Sequence, residues 1–409
     1  MTTSLVSLKI LCLRLALEFL QSPPENQIRA LRASTLHYLS DSAAFNEIQN
    51  YINSAIREGP GPATLAGFAW FIIQLNVRTS REEYRLYLES PEAEVGGSAA
   101  DRRTQAVRAL IDHFEDISVS DEEIDILSKL ATGGGIAHSM IADVASQAIT
   151  AFSASADRSF EQRARSTLLS LIQQSVEVTL YEPPVINAAL ATLRGSSNFW
   201  SVIDQPASEV LDPVGEEFLQ DSVFLRPRLL ETAQLRFPYE ISPFLRFCTA
   251  LASDTIRDPE HHELFNLLSN VPYLVQKLPE GFSRYQLARE DTEQNHISLT
   301  EDLSIFQMNP QRYEPILAKA SKLAMTLAAN ANIVAIPAGT EGINNGDYVI
   351  TWNFQFSAFA YLTTLLTTAL RNNCFSEAVS GNSVPLETAT EILNPVSYTH
   401  LTLPTILRV

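Results

Sequence analysis

From Ser4 to about Asn270, apolar residues recur at spacings of three and four, the mark of helices that each bury one stripe. The pattern is interrupted by breaker residues, which divide it into helical hairpins. The breaks fall at Pro23-Pro24, Gly59-Pro60-Gly61-Pro62, Pro91 through Gly97, the turn after Ile117, Pro183-Pro184, Gly195 through Asn198, Asp212-Pro213 and Pro238. After Ile117, Ser118, Ser120 and Asp121 offer N-cap oxygens to a helix carrying Ile124, Leu127 and Leu130. Helices joined by short connections, with no alternating strands, predict hairpins stacked as an α-solenoid. No repeat consensus is visible, so the repeat is degenerate.

Between about Val271 and Trp352 the period changes to two. Tyr285 through Arg289 and His296 through Thr300 alternate apolar with polar residues, as half-exposed strands do. Ile333 through Pro337 and Tyr348 through Trp352 read as further strands, and the glycines from Gly339 to Gly346 are assigned to tight β turns, with Asn345-Gly346-Asp347 able to take positive φ. A helix is expected from about Pro315 to Ala329, and helical spacing returns from Ser357 to Leu370. The predicted fold is therefore mainly α: an α-solenoid with an inserted small SH3-like β module. The expected division is a helical solenoid segment over 1–270, the β module with its internal helix over 271–356, and a resumed solenoid over 357–395.

Arg236 through Glu240 departs most from the surrounding pattern. Two prolines, two aromatics and a carboxylate expected to be buried, Glu240, precede a helix in which Phe244, Phe247, Cys248 and Leu251 fall on one stripe. This reads as a structural joint ahead of the β module, with no catalytic chemistry in it.

Composition narrows the function classes. At 409 residues and 45% hydrophobic content, the chain can bury a substantial interior. Its 29 Lys and Arg against 47 Asp and Glu leave a net charge of −18, which repels phosphate backbones and anionic headgroups, so no direct nucleic-acid partner is expected. The densest basic stretch, Asp101-Arg102-Arg103 with Arg108, reads as a solvated helix face. Cys12, Cys248 and Cys374 are far apart and flanked by apolar residues, as small buried hydrophobes in a reducing compartment are. The apolar run Leu5–Leu20 contains Lys9, Arg14 and Glu18, which makes it an amphipathic helix rather than a leader, and no transmembrane segment is predicted.

Candidate chemistry is sparse. His261-His262-Glu263 does not place two imidazoles on one helix face, so it reads as an ordinary helix start rather than a metal site. Gly133-Gly134-Gly135 lacks the Lys and Ser or Thr of a phosphate loop and reads as a helix-to-helix joint. No nucleophile elbow and no Cys with a nearby His is present. Carboxylate pairs such as Glu82-Glu83 and Glu301-Asp302 read as solvated faces. The run Phe68, Trp70, Phe71, Ile72, Ile73 predicts a central buried helix, with a peptide-binding groove as the functional alternative. No catalytic, cofactor-binding or metal-binding residue is assigned, no cofactor is implied, and the chain is not expected to be an enzyme.

Residues Val396 through Thr405 translate GTC TCT TAT ACA CAT CTG ACG CTG CCG ACG, which looks like a transposon end and adapter used in sequencing libraries. The segment 396–409 is accordingly expected to be a sequencing-adapter translation.

Several segments, in order, carry a family resemblance: Leu65 through Trp70; Leu180 through Trp200, with Tyr181-Glu182-Pro183-Pro184 and Asn198-Phe199-Trp200; Arg236 through Glu240 with Pro243-Phe244; Ser298 through Leu303; and Ile336 through Gly342. Together they make the chain resemble the nucleoporin 188 family, large α-solenoid scaffolds of the inner ring of the nuclear pore complex. Members are much longer, so the resemblance implies a partial chain lacking N-terminal and C-terminal regions. It also implies a structural constituent of the nuclear pore at the nuclear envelope, supporting nucleocytoplasmic transport of protein and mRNA. The implied partners are a coiled-coil linker nucleoporin and an FG-repeat nucleoporin, met mainly through regions outside this chain. The competing class is a karyopherin-like transport receptor or a generic α-solenoid adapter.

Overall fold

The computed structural model describes residues 16, 18–33, 37–57, 63–94, 98–132, 135–152, 158–176, 179–194, 213–252, 263–278, 281–287, 295–304, 335–362, 365, 375–376 and 384–385. Outside them lie the predicted helix over 315–329, His261 and His262, Gly133 and Gly134, Cys12 and Cys374, nearly all of the N-terminal run, and the tail 396–409. Two compact units are present. The first comprises Met1–Asp204 with Asp212–Leu225, and the second comprises Gln205–Leu211 with Arg226–Val409.

The first unit is helical: α1 (Pro24–Arg32), α2 (His37–Ser40), α3 (Ser42–Arg57), α4 (Ala63–Glu89), α5 (Pro91–Glu94), α6 (Ser98–Ile117), α7 (Asp121–Thr132), α8 (Ile136–Phe152), α9 (Arg158–Ser175), α10 (Pro183–Arg194) and α11 (Pro213–Gln220). Proline opens α5, α10 and α11, where its missing N–H would have been an unbonded donor in any case. Of the oxygens offered before α7, the chain uses Ser120: its Oγ accepts the Glu123 amide at 3.3 Å, while Glu123 Oε2 accepts the Ser120 amide at 3.2 Å.

The long α4 is the hub, packing against α3, α6, α7 and α8. Its run Phe68, Trp70, Phe71, Ile72, Ile73 is buried throughout, and the Trp70 indole N–H donates to Gln49 of α3. That run is core rather than a groove wall. A second layer is formed by α8, α9 and α10, which pack on one another. Gly135 lets the start of α8 approach the start of α10: with φ at +66°, a Cβ there would meet Pro184 Cγ at 2.4 Å.

Among its described residues, the second unit starts with a π-helical turn (Arg226–Glu231) and continues through α12 (Thr232–Leu235), α13 (Ile241–Ala252) and α14 (Glu263–Ser269). A five-stranded antiparallel sheet follows, built from β1 (Leu274–Lys277), β2 (Tyr285–Leu287), β3 (His296–Leu299), β6 (Glu341–Asn344) and β7 (Val349–Trp352) in the order β1-β7-β6-β3-β2. The short strands β4 (Leu303–Ser304) and β5 (Ala335–Ile336) pair separately, and β8 (Phe375–Ser376) pairs in parallel with β9 (Val384–Pro385). Helical residues 358–362 resume after the sheet.

One row of directly opposed residues crosses all five strands: Leu274, Trp352, Gly342, Ile297 and Leu287. Opposed residues share a face of the sheet, and this is the buried face until its end, where Leu287 is 50% exposed. Gly342 is thus a strand residue, not the turn glycine expected. A Cβ there would lie 2.6 Å from Trp352 Cε3, so the absent side chain is what admits the indole. Gly339 and Gly346, at φ of +86° and +92°, do occupy turns.

Candidate functional site

The helical part of the second unit meets its sheet at Phe237. After α12 the chain turns tightly, with the Phe237 amide donating to Gln234 O at 3.1 Å and the Glu240 amide to Arg236 O at 3.0 Å. The Phe237-Pro238 peptide is cis. The Gln234 side-chain amide donates to Leu267 O at 2.9 Å, which holds the turn against α14. These bonds aim the Phe237 ring inward, where it is 0% exposed.

Three aromatic rings surround it. Phe244 of α13 lies 5.4 Å away between centroids, Phe356 just beyond β7 stacks at 5.9 Å, and Tyr361 of the following helix meets its edge at 5.6 Å. Such pairs add roughly 0.5–1.5 kcal/mol each beyond simple burial. The Phe237 carbonyl also accepts the Val275 amide of β1 at 3.3 Å, while Val271 and Phe356 exchange backbone hydrogen bonds of 2.9 and 3.0 Å. One residue therefore touches the preceding turn, α13, the edge strand and the segment that leaves the sheet.

This site is mechanical in character. Burial pushes the Tyr361 hydroxyl and the Cys248 thiol well above their usual ranges, so neither ionises near neutrality. Glu240, expected to be buried, is half-exposed and pairs with Arg236 at 3.0 Å. A residue four positions from an arginine on a turn is satisfied locally at the surface, and nothing in the fold draws it inward.

In the first unit, a cleft of about 630 Å³ is lined by Pro24, Leu75, Ser80, Tyr84, Arg103 and Phe224 among others. Two of its hydroxyls are engaged by the protein itself: the buried Gln27 amide donates to the Tyr84 hydroxyl at 2.9 Å and to the Ser22 carbonyl at 2.7 Å, and the Ser22 hydroxyl donates to Glu18 O at 2.6 Å. Desolvation raises the Tyr84 pKa, opposed by that hydrogen bond. Nearby layers contain buried polar residues that sequence reading missed, Arg165 and His138 among them. Arg165, 3% exposed, donates from Nε to Thr192 O at 2.7 Å and from Nη2 to Leu193 O at 2.6 Å, closing the last carbonyls of α10. His138, 1% exposed, has Ser175 Oγ at 3.3 Å and the Phe68 ring at 5.2 Å, and burial lowers its pKa from 6.5 to about 4. Both sit at helical stripe positions, where an arginine or histidine gives no signal that tertiary contacts will enclose it.

Among the described residues, no group of three or more His, Cys, Asp and Glu side chains could hold a metal ion, and no helix is long and apolar enough to cross a membrane. Burial is the first cause of the shifts at Tyr84, which lines the cleft, and at His138, Cys248 and Tyr361, which lie in the cores. For the three core groups that is the signature of packing.

The class defined by these features is a mainly helical protein, consistent with a helical solenoid, that has a small antiparallel β module and an aromatic joint where helices meet sheet. No family model matches the chain. Among curated proteins it is similar to nucleoporin NUP188 of Chaetomium thermophilum, with 24% identity over 352 residues, covering 80% of this chain and 18% of that protein. The chain thus spans less than a fifth of that relative's length, and the likeness suggests a nucleoporin-like relationship.

Proposed function

We propose that this chain is a section of a structural scaffold subunit of the nuclear pore complex inner ring, and that it supports nucleocytoplasmic transport architecturally, without enzymatic turnover. The observation that carries this reading is the likeness to nucleoporin NUP188, which runs through 80% of the chain across both its helical and its β parts. The fold supports it: packed helices give many local contacts that resist bending, and such arrays display extended surfaces for other proteins. The proposal includes the division into 1–270, 271–356 and 357–395, with the middle region as an SH3-like module; its five short antiparallel strands support that part. It also includes a nuclear-envelope location and partners among other nucleoporins, a coiled-coil linker and an FG-repeat protein.

The test is expression of the tagged full-length gene product in its own cells, with imaging and affinity capture. A punctate nuclear rim and co-purification of inner-ring nucleoporins are expected. Diffuse localisation with cargo proteins captured instead would replace the scaffold reading with that of a transport receptor or adapter.

A further inference from the structure

The hairpin between β6 and β7 carries chemistry that a scaffold role does not use. It turns through Asn345, Gly346, Asp347 and Tyr348, with φ of 92°, 49° and 60° at the last three. Asn345 is exposed, and a Cβ built on Gly346 would meet nothing within 4 Å, so solvent reaches this peptide bond. An asparagine followed by glycine is the pair best suited to cyclise, because no side chain shields the backbone nitrogen that attacks the asparagine amide.

Both reacting groups are restrained here. The Gly346 N–H donates to Asn344 Oδ1 at 3.0 Å, and Asn345 Nδ2 donates to Thr351 Oγ1 at 2.8 Å. The frame around them is closed by the Asn345 amide on Val349 O and the Val349 amide on Gly346 O, each at 2.9 Å. The nitrogen that must lose its proton is thus occupied as a donor, and the carboxamide that must rotate toward it is anchored across the hairpin.

We propose that Asn345 is a latent deamidation site, held closed by Asn344 and Thr351 and released when the hairpin opens. In the reaction, the Gly346 nitrogen forms a bond to Asn345 Cγ and the Cγ–Nδ2 bond breaks. Ammonia leaves with the proton given up by the Gly346 nitrogen, and a cyclic imide remains. Water then opens the imide at either carbonyl, producing aspartate or isoaspartate. Solvent water is the sole co-reactant, and no atom changes oxidation state. Either product places a second carboxylate near Asp347. The iso form also lengthens the backbone by one carbon within the hairpin that sets Gly342 against Trp352.

The experiment is peptide mapping by mass spectrometry, with isoaspartate detection, on the full chain aged at mildly alkaline pH. Wild type is followed both folded and in denaturant, beside Thr351→Val and Asn344→Ala, with Asn345→Gln as the control that yields no product at this position. Two hydrogen bonds of ordinary strength are expected to slow conversion at Asn345 roughly tenfold in the folded protein relative to the denatured chain. Thr351→Val, which keeps a β-branched residue in the strand, is expected to recover several-fold of that difference. Equal rates in folded and denatured wild type would overturn the proposal. So would unchanged rates in both clamp variants with the sheet intact by circular dichroism. The folded-against-denatured comparison stands even where a variant does not fold.

Discussion

Gly342 and Trp352 are opposed across β6 and β7, and the space left by the absent glycine side chain is filled by the indole. Gly342→Ala would place a methyl group 2.6 Å from Trp352 Cε3 and 3.1 Å from Ile350 Cγ2. The expected cost is about 1–3 kcal/mol, the range for overpacking a filled core. Chemical denaturation followed by tryptophan fluorescence measures it, and an alanine variant as stable as wild type would show that the sheet absorbs the methyl freely.

Phe237→Ala removes a fully buried ring from contact with Phe244, Phe356 and Tyr361. A loss of about 3–5 kcal/mol is expected for such a truncation. Hydrogen exchange locates the effect: faster exchange is expected at the Val271, Val275 and Phe356 amides, while α4 in the first unit keeps its protection. Uniform acceleration over the whole chain would contradict the role of Phe237 as a local joint.

Arg165→Ala leaves the Thr192 and Leu193 carbonyls at the end of α10 without their charged donor. Hydrogen bonds to charged groups contribute about 1.5–3 kcal/mol each and do not add fully, so a loss of roughly 3 kcal/mol is expected. Arg165→Lys should recover only part, because a single ammonium cannot reproduce the two-pronged geometry. Urea midpoints for wild type and the two variants decide it, and full recovery by lysine would refute the geometric argument.

His138 makes stability fall on mild acidification. Its folded pKa of about 4 lies below the 6.5 of an unperturbed histidine, so the unfolded chain takes up a proton through a window in which the folded chain does not. The stabilising contribution is complete above pH 6.5 and is lost as pH falls toward 4, by about 3 kcal/mol in all. Unfolding free energies measured at intervals through that window should rise with pH less steeply in His138→Gln than in wild type. Identical slopes would show that the imidazole titrates normally in the fold.

Much of the fold was legible in the order of residues, where short-range chemistry decides structure. Ser120 and Glu123 stand three positions apart, and their reciprocal capping requires nothing from elsewhere in the chain. The strands at His296 and Val349 show through period-two alternation because one face of each is less buried than the other, while the strand at Tyr285 alternates in residue type although all three of its residues are exposed. β1 was not legible: Leu274 and Val275 are both buried, and a strand enclosed on both sides loses its alternation. Gly342 looked like a turn residue because its role is defined by Trp352, ten positions away.

The candidate site divides in the same way. The unusual wording of Arg236 through Glu240 marked a joint, since two prolines beside an apolar stripe interrupt a helix in any context. What the joint holds together was invisible, because Phe356 and Tyr361 are more than a hundred residues distant and contribute by contact alone.

The sequence by itself determined the helical class, the change to strands near Val271 and helix starts such as that at Ser120, all of which follow from local periodicity, capping and residue type. Tertiary structure alone decided that Phe237 binds helix to sheet and that Arg165 and His138 lie buried. Those outcomes depend on which distant groups exclude water from a side chain or supply its hydrogen-bond partner, and no local pattern encodes that.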